Sequence, residues 1–223
     1  MPLAAEQARR VYDRIGRMQD TQRFYEDAAT SRLAELGGFA EARSVFELGC
    51  GTGRFAASLL SERLPADARY LGVDVSPKMA ALARQRLRQW APRAEVGLLD
   101  PPALELPGED GGFDRFVATY VFDLLALDHA RRLLSEAQRL TGRSGLLCVA
   151  GLTHGVTRAT QLVSKAWGAV AKRRPSLLGG CRPIELTELL APDAWRLRDR
   201  EVIARWGISS EVVVAAKPEN DPG

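Results

Sequence analysis

Cysteine is scarce in this chain, and lysine nearly so. Three cysteines, Cys50, Cys148 and Cys181, fall in 223 residues. They form no C-x-x-C pair, which excludes a disulfide scaffold and a zinc ribbon and fits reduced thiols in a cytoplasm. No apolar run approaches the about 18 residues of a membrane-spanning helix. The first residues, MPLAAEQARRVYDRIG, carry charges where a secretory signal needs its apolar segment. Of 31 basic residues only four are lysine: Lys78, Lys165, Lys172 and Lys217. The net charge of +3 is too small to indicate a dedicated nucleic-acid binder. Acidic residues are missing altogether from Ala137 to Ile184, a stretch that holds eight Arg or Lys.

What is present is ordinary globular composition, 46% hydrophobic and 26% charged. The pattern predicts helices over about 5–17 and 20–36. Strands and helices then alternate: strand 44–48, helix 53–63, strand 70–73, a helix from Pro77 to about Trp90 with Ser76 as its cap, and strand 95–99. After a Pro/Gly-rich loop come strand 113–119, a helix over 128–140 ended by Gly142, and strand 145–150. Such alternation argues for an α/β fold: a Rossmann-like parallel sheet with helices on both faces. An amphipathic helix over 156–171, a short helix over 184–190 and two strand-like runs, 198–205 and 211–216, complete the chain. The two runs are close enough to pair only as an antiparallel hairpin on the sheet edge. The expected organisation is a single domain: a helical cap (1–40), a cofactor-binding core (41–151), a helical insert (152–192) and a terminal hairpin (193–217).

The most informative segment is VFELGCGTGRF, residues 45–55. A strand enters, Gly49, Gly51 and Gly53 form a turn, and a helix leaves. Glycines let the backbone approach a ligand closely, and a helix start offers free N–H groups. A dinucleotide fingerprint would need glycine where Arg54 stands, and a P-loop would need a Gly-Lys-Ser/Thr that does not follow. Glu47 just before the turn would repel a pyrophosphate but suits a ligand carrying an ammonium.

E-x-G-x-G-x-G after the first strand resembles the first motif of class I S-adenosylmethionine-dependent methyltransferases, and ELGCGTGRF looks like their small-molecule methyltransferase-domain family. The resemblance covers roughly residues 40–151 and implies S-adenosyl-L-methionine as cofactor, with no metal. It implies that Glu47, Gly49, Cys50, Gly51 and Gly53 line the cofactor. By the same likeness Asp74, in LGVDVSPKM, bonds the ribose hydroxyls, and Val75 and Met79 flank the adenine. Asp100 matches the acid that accepts from the adenine amino group. Pro101 lacks the N–H that the family usually offers there, so the backbone of Leu99 or Asp100 takes that place. In FDRFVATYVFDLL, residues 113–125, the carbonyl near Thr119 is implied to face the methionine ammonium, with Tyr120 and Asp123 toward the acceptor. Helices at the N-terminus fold over the cofactor in family members, which makes Tyr12 and Tyr25 candidates for closing the pocket. Asp100-Pro101-Pro102-Ala103 resembles an amino-methyltransferase motif, but it follows the wrong strand and lacks the aromatic fourth residue.

Methyl transfer from a sulfonium needs alignment first, and a base only where the attacking atom carries a proton. Ligands of open α/β sheets bind outside the carboxyl ends of the strands. His154 lies just past strand five and Asp123 past strand four, so His154, Asp123 and Tyr120 are the candidate catalytic residues. Cys181 has no base near it in sequence, and His129 starts a scaffold helix. The expected acceptor is a small molecule, anionic or apolar, with Arg158 and Arg182 as substrate-binding candidates. A lipid or quinone-like acceptor met at a membrane surface through the 156–171 helix is an alternative. A nucleic-acid or protein methyltransferase lacks stacking aromatics in the basic run, and a non-catalytic cofactor binder would have less reason to keep the acid and glycine set.

Overall fold

A computed structural model describes residues 26–100, 105–154, 182–205 and 207–218. Its seven-stranded sheet is built from β1 (Ser44–Leu48), β2 (Arg69–Asp74), β3 (Ala94–Leu98), β4 (Phe113–Thr119), β5 (Thr141–Thr153), β6 (Arg196–Arg205) and β7 (Ile208–Ala216). The order is β3-β2-β1-β4-β5-β7-β6. β1 to β5 are parallel, and β7 pairs antiparallel with both β5 and β6. The helices are α1 (residues 26–36), α2 (Arg54–Glu62), α3 (Pro77–Leu87), α4 (Leu127–Leu140) and the short α5 (Leu186–Leu189). The alternation read from the sequence is therefore a Rossmann-like sheet, with the expected hairpin at its edge. Among the described residues no helix is long and apolar enough to cross a membrane.

The strands separate two cores by their period of two. Phe46 and Leu48 of β1 and Phe116 and Ala118 of β4 face α4 and α5, where Leu133, Leu140, Leu186 and Leu189 pack. Val45 and Val117 face the other way, against Leu33 of α1 and Ala56 and Leu59 of α2. β1 is central and buried from Val45 to Leu48, as strands covered on both faces are. α4 owes its place to a stripe, Ala130, Leu133, Leu134, Ala137 and Leu140, at helical spacing. α3 starts as expected, with Pro77 first and the Ser76 hydroxyl accepting from the Met79 N–H at 3.4 Å.

Two side chains fasten α1 to the sheet. Buried Arg115 of β4 donates to the carbonyls of Gly37 and Gly38, both at 2.6 Å. Arg32 makes a fork onto Glu201 of β6 at 2.8 and 2.6 Å. These hold the middle and end of α1 to the sheet, and earlier in α1 Asp27 pairs with Arg54 of α2.

The structure departs from expectation in detail at Gly142. This residue does not end a loop-bounded helix but lies inside β5, which begins directly at Thr141. The Thr141 hydroxyl closes α4 by donating to the Ala137 carbonyl at 2.6 Å, and Thr141 then pairs with Phe113 of β4. A glycine suits position 142 because a Cβ there would sit 3.2 Å from the Gly111 carbonyl. The short helix is also narrower than expected, Leu186–Leu189, and the hairpin strands start earlier, at Arg196 and Ile208. The amphipathic segment 156–171 lies outside the described residues.

Candidate functional site

The carboxyl ends of β1, β2, β4 and β5 meet along one edge of the sheet, and the site grows from the turn after β1. Gly49, Gly51 and Gly53 all hold a positive φ, in the left-handed region that a side chain disfavours. The turn folds back on β2: the N–H groups of Gly49 and Cys50 donate to the Val73 carbonyl at 2.8 and 3.0 Å. Space is as tight as the dihedrals are special. A Cβ on Gly49 would come within 2.5 Å of Val121, and one on Gly53 within 3.1 Å of Ala83. α2 begins at Arg54, so its free N–H groups open on the same turn.

Two buried carboxyls frame this turn. Asp74, at the end of β2, accepts the Gly51 N–H on one oxygen at 2.9 Å and the Ser76 N–H on the other at 2.8 Å. It thereby locks the glycine turn to the turn that starts α3. An ionised carboxylate has about four acceptor positions, so these bonds do not exhaust it. Burial raises its pKa, and the N–H bonds from Ser76, Gly51 and Val75 pull the other way. Glu47, on β1, is 1% exposed and accepts the Tyr70 hydroxyl at 2.6 Å. Burial lifts its pKa to about 7, against the Tyr70 bond and with the charge of Asp74.

Past β4 the chain turns sharply. Thr119 is half-buried at the strand end, and Tyr120 takes a positive φ, rare for a non-glycine residue and worth a functional question. That turn sends the Tyr120 hydroxyl to Ser210 of β7 at 2.9 Å. Asp123 follows in a short helical turn and is fully buried. One of its oxygens takes the Leu152 N–H at a long 3.4 Å, and Oδ1 has no hydrogen-bond partner among the described residues. Burial lifts the Asp123 pKa to about 7, opposed by the Leu152 N–H and by the charge of Arg182. Arg182 lies against this turn, its N–H donating to the Asp123 carbonyl at 3.0 Å and its guanidinium to the Leu125 carbonyl at 2.5 Å. His154 is exposed, one residue beyond β5.

The remaining candidates divide by position. Met79 is buried and Val75 half-buried at the start of α3, beside Asp74. Leu99 has its N–H committed to the Asp74 carbonyl at 2.9 Å, and Asp100 is exposed. Tyr12, Tyr25 and Arg158 lie outside the described residues. Two residues were missed from the sequence. Tyr70 is one. Glu26, half-buried and the first described residue of α1, is the other: its pKa rises to about 7 through burial and the charge of Asp123, with Arg54 opposing. No motif marks either residue.

As a donor set, the site fits a cationic nucleoside. Among the described residues Glu47, Asp74 and Asp123 have no ion-pair partner, so no salt bridge neutralises them. A ribose offers hydroxyl donors to Asp74, and an ammonium offers Glu47 the charge it lacks. Known proteins agree with that chemistry. A family described as "Methyltransferase domain" matches residues 45–145. Demethylmenaquinone methyltransferase of Thermus thermophilus is 35% identical over 107 residues, 48% of this chain and 46% of that protein. The chain thus spans about half the length of such curated relatives. The likeness to trans-aconitate 2-methyltransferase of Methylobacterium radiotolerans reaches further, 33% identity over 208 residues, 82% of this chain and 74% of that protein. Among solved structures, the [4+2]-cyclase SpnF superposes with a TM-score of 0.73 over 97% of this chain and 98% of that one, at 16% identity, a likeness of fold alone. A family match that takes in the glycine turn and the β2 acid, and a relative 33% identical that is aligned with 82% of this chain, decide the matter: the chain belongs to the class I S-adenosylmethionine-dependent methyltransferases, and S-adenosylmethionine is its cofactor.

Proposed function

We propose that the chain transfers a methyl group to a small molecule whose attacking atom carries a proton, with Asp123 as the general base. The observation that carries this reading is the Asp123 Oδ1, fully buried and without a hydrogen-bond partner among the described residues. Leaving such an atom unpaired costs about 1–3 kcal/mol, and the O–H or N–H of an acceptor is the donor that fits it. A carboxyl lifted to about 7 is also matched to proton transfer at neutral pH.

When bound, the cofactor supplies a methyl already activated on a sulfonium sulfur. The protein's larger task is alignment, which supplies roughly 7–11 kcal/mol of a barrier. The side-chain-free backbone of the Gly49–Gly53 turn and the free N–H groups of the α2 start would hold the cofactor's methionine end. Asp74 accepts from the ribose hydroxyls, Val75 and Met79 bracket the adenine, and Asp100 accepts from its amino group. Glu47 and the Thr119 carbonyl face the ammonium. Tyr120, pinned by Ser210, fixes the β4 exit that aims Asp123, and Glu26 shares the electrostatic environment into which the proton moves. His154, exposed one residue beyond β5, would touch the acceptor rather than take its proton.

A screen of thiols, phenols, amines, carboxylic acids and lipids, read by demethylated cofactor, tests the activity. With an accepted substrate, kcat/KM should rise with pH through about 7, and Asp123→Asn should lower kcat about 10²–10⁴-fold with cofactor affinity unchanged. An Asp123→Asn enzyme of full activity sinks the assignment. One observation favours a second reading, an anionic acceptor: Arg182 lies against Asp123, and the relative aligned over 82% of this chain is named for trans-aconitate. There a protonated Asp123 would donate to the acceptor, so activity would fall rather than rise above pH 7, and Arg182→Glu would raise KM.

A further inference from the structure

Glu47 and Tyr70 form a buried pair that methyl transfer does not by itself require. The register explains how they meet. Glu47 of β1 stands opposite Gly72 of β2, and Tyr70, two residues earlier on β2, shares that face. Tyr70 is 2% exposed and donates its hydroxyl to Glu47 Oε2 at 2.6 Å. Gly72 keeps the contact possible: a Cβ there would lie 2.5 Å from the Tyr70 hydroxyl and 2.9 Å from the Cys50 Cβ. The other ionisable groups that face Glu47 are Asp74 of β2 and Cys50 of the glycine turn. Arg84 of α3 bears on Cys50 and not on Glu47. Among the described residues, therefore, no cation compensates Glu47 until a ligand brings one.

We infer that Tyr70 is a positioning residue that holds Glu47 for the cofactor's ammonium, so that cofactor binding drives a proton off Glu47 into solvent. The inference rests on the cofactor site described above and adds a proton linkage to it. The balance is simple: the Glu47 carboxyl loses its proton to the buffer, the ammonium keeps its own, and the resulting ion pair replaces the buried neutral acid. Tyr70 serves both states, but a hydroxyl donates more strongly to the ionised carboxylate. Burial of Glu47, which lifts it to about 7, puts the exchange in the neutral range.

The test is titration calorimetry of the full chain with S-adenosylhomocysteine, which retains the ammonium, in phosphate and in Tris. Affinity should tighten about tenfold from pH 6 to pH 8, and the enthalpy difference between the buffers should report about half a proton released at pH 7. 5′-Methylthioadenosine, which lacks the ammonium, should bind with no such release. Tyr70→Phe should move the transition up by about one unit, weakening binding about fivefold at pH 7 and recovering near pH 8.5. Glu47→Gln should abolish the release, whatever its effect on affinity. Tight binding of S-adenosylhomocysteine by the unaltered protein with no proton release overturns the inference. So does release that persists in Glu47→Gln, which would assign the proton to Asp123 or Glu26 instead. Failure of S-adenosylhomocysteine to bind at any pH from 6 to 9 would strike the cofactor site itself, and is told apart by that.

Discussion

Most proteins lose stability in acid because carboxylates that are ion-paired when folded must be protonated. Without cofactor, this one should be more stable at pH 5 than at pH 8. Glu47 and Asp123 are buried carboxyls whose pKa is raised to about 7. A raised folded-state pKa means that the folded chain binds the proton more tightly than the unfolded chain. The stabilisation is complete below the unfolded value, near 4, and is lost as pH rises through 7. Taking 1.36 kcal/mol per unit, the change from pH 5 to pH 8 is about 2–3 kcal/mol for each carboxyl. That is a large part of the about 5–15 kcal/mol that holds a typical domain. Glu136, lowered by its bond to Arg139, acts the other way, but only as pH falls below about 4.5. Stability should therefore peak near pH 5. Urea unfolding followed by circular dichroism at pH 5, 6, 7 and 8 measures the slope. Glu47→Gln and Asp123→Asn should each flatten it by about its own share, since an amide has no proton to lose. A stability that stays level or rises between pH 5 and 8, or a slope untouched by both substitutions, would refute the reasoning.

Two further outcomes are expected. Asp74→Ala removes the acceptor of the Gly51 and Ser76 N–H groups, so the glycine turn loses its tie to α3; cofactor binding should weaken at least tenfold, and calorimetry with S-adenosylhomocysteine checks it. Arg115→Met leaves the Gly37 and Gly38 carbonyls without their donor at the end of α1; unfolding free energy should fall by about 2–4 kcal/mol while cofactor affinity changes less than twofold, because the clamp is remote from the turn.

Local signals carried the cofactor half of the molecule. The glycine spacing after a buried strand, the Ser76-Pro77 helix start and the Asp at the end of β2 are all statements about neighbours in sequence, and each stands where the pattern put it. What escaped was set by strand register and by packing. Tyr70 and Glu47 are brought together only because β1 pairs with β2 in one register out of several. Glu26 reaches the Asp123 environment because Arg32 and Arg115 dock α1 on the sheet, through contacts between residues far apart in the chain. Gly142 read as a helix stop by composition, but Thr141 already pairs with β4, so the strand claimed it. Glu211 shows the same limit. Nothing in the strand-like run 211–216 marks its first residue as buried, yet Glu211 is, accepting the Leu186 N–H and the Arg200 guanidinium at 2.5 Å each.

The shortage of acids between Ala137 and Ile184 takes on a different meaning once these contacts are known. Most of the described part of that stretch is β5, buried from Gly145 to Thr153, where an acid would need a partner as costly to place as the one Glu211 has. Among its described bases, Arg139 is spent on Glu136, Asp110 and the Leu106 and Gly108 carbonyls, and Arg182 on the Leu125 carbonyl. The charge of those two is structural, while Arg143 is exposed on β5. The uncompensated charge of the site has the opposite sign. Glu47, Asp74 and Asp123 gather at one edge of the sheet with no ion-pair partner among the described residues, and on the proposed reading the ligand that meets them brings a sulfonium and an ammonium. An overall charge of +3 conceals this. A site built of unpaired acids is poorly served by a permanent counter-ion from the protein, since a fixed arginine would compete with the ligand for every one of them. Leaving the acids buried and protonatable makes the empty state tolerable near neutral pH, and lets the cationic cofactor supply the missing charge when it arrives.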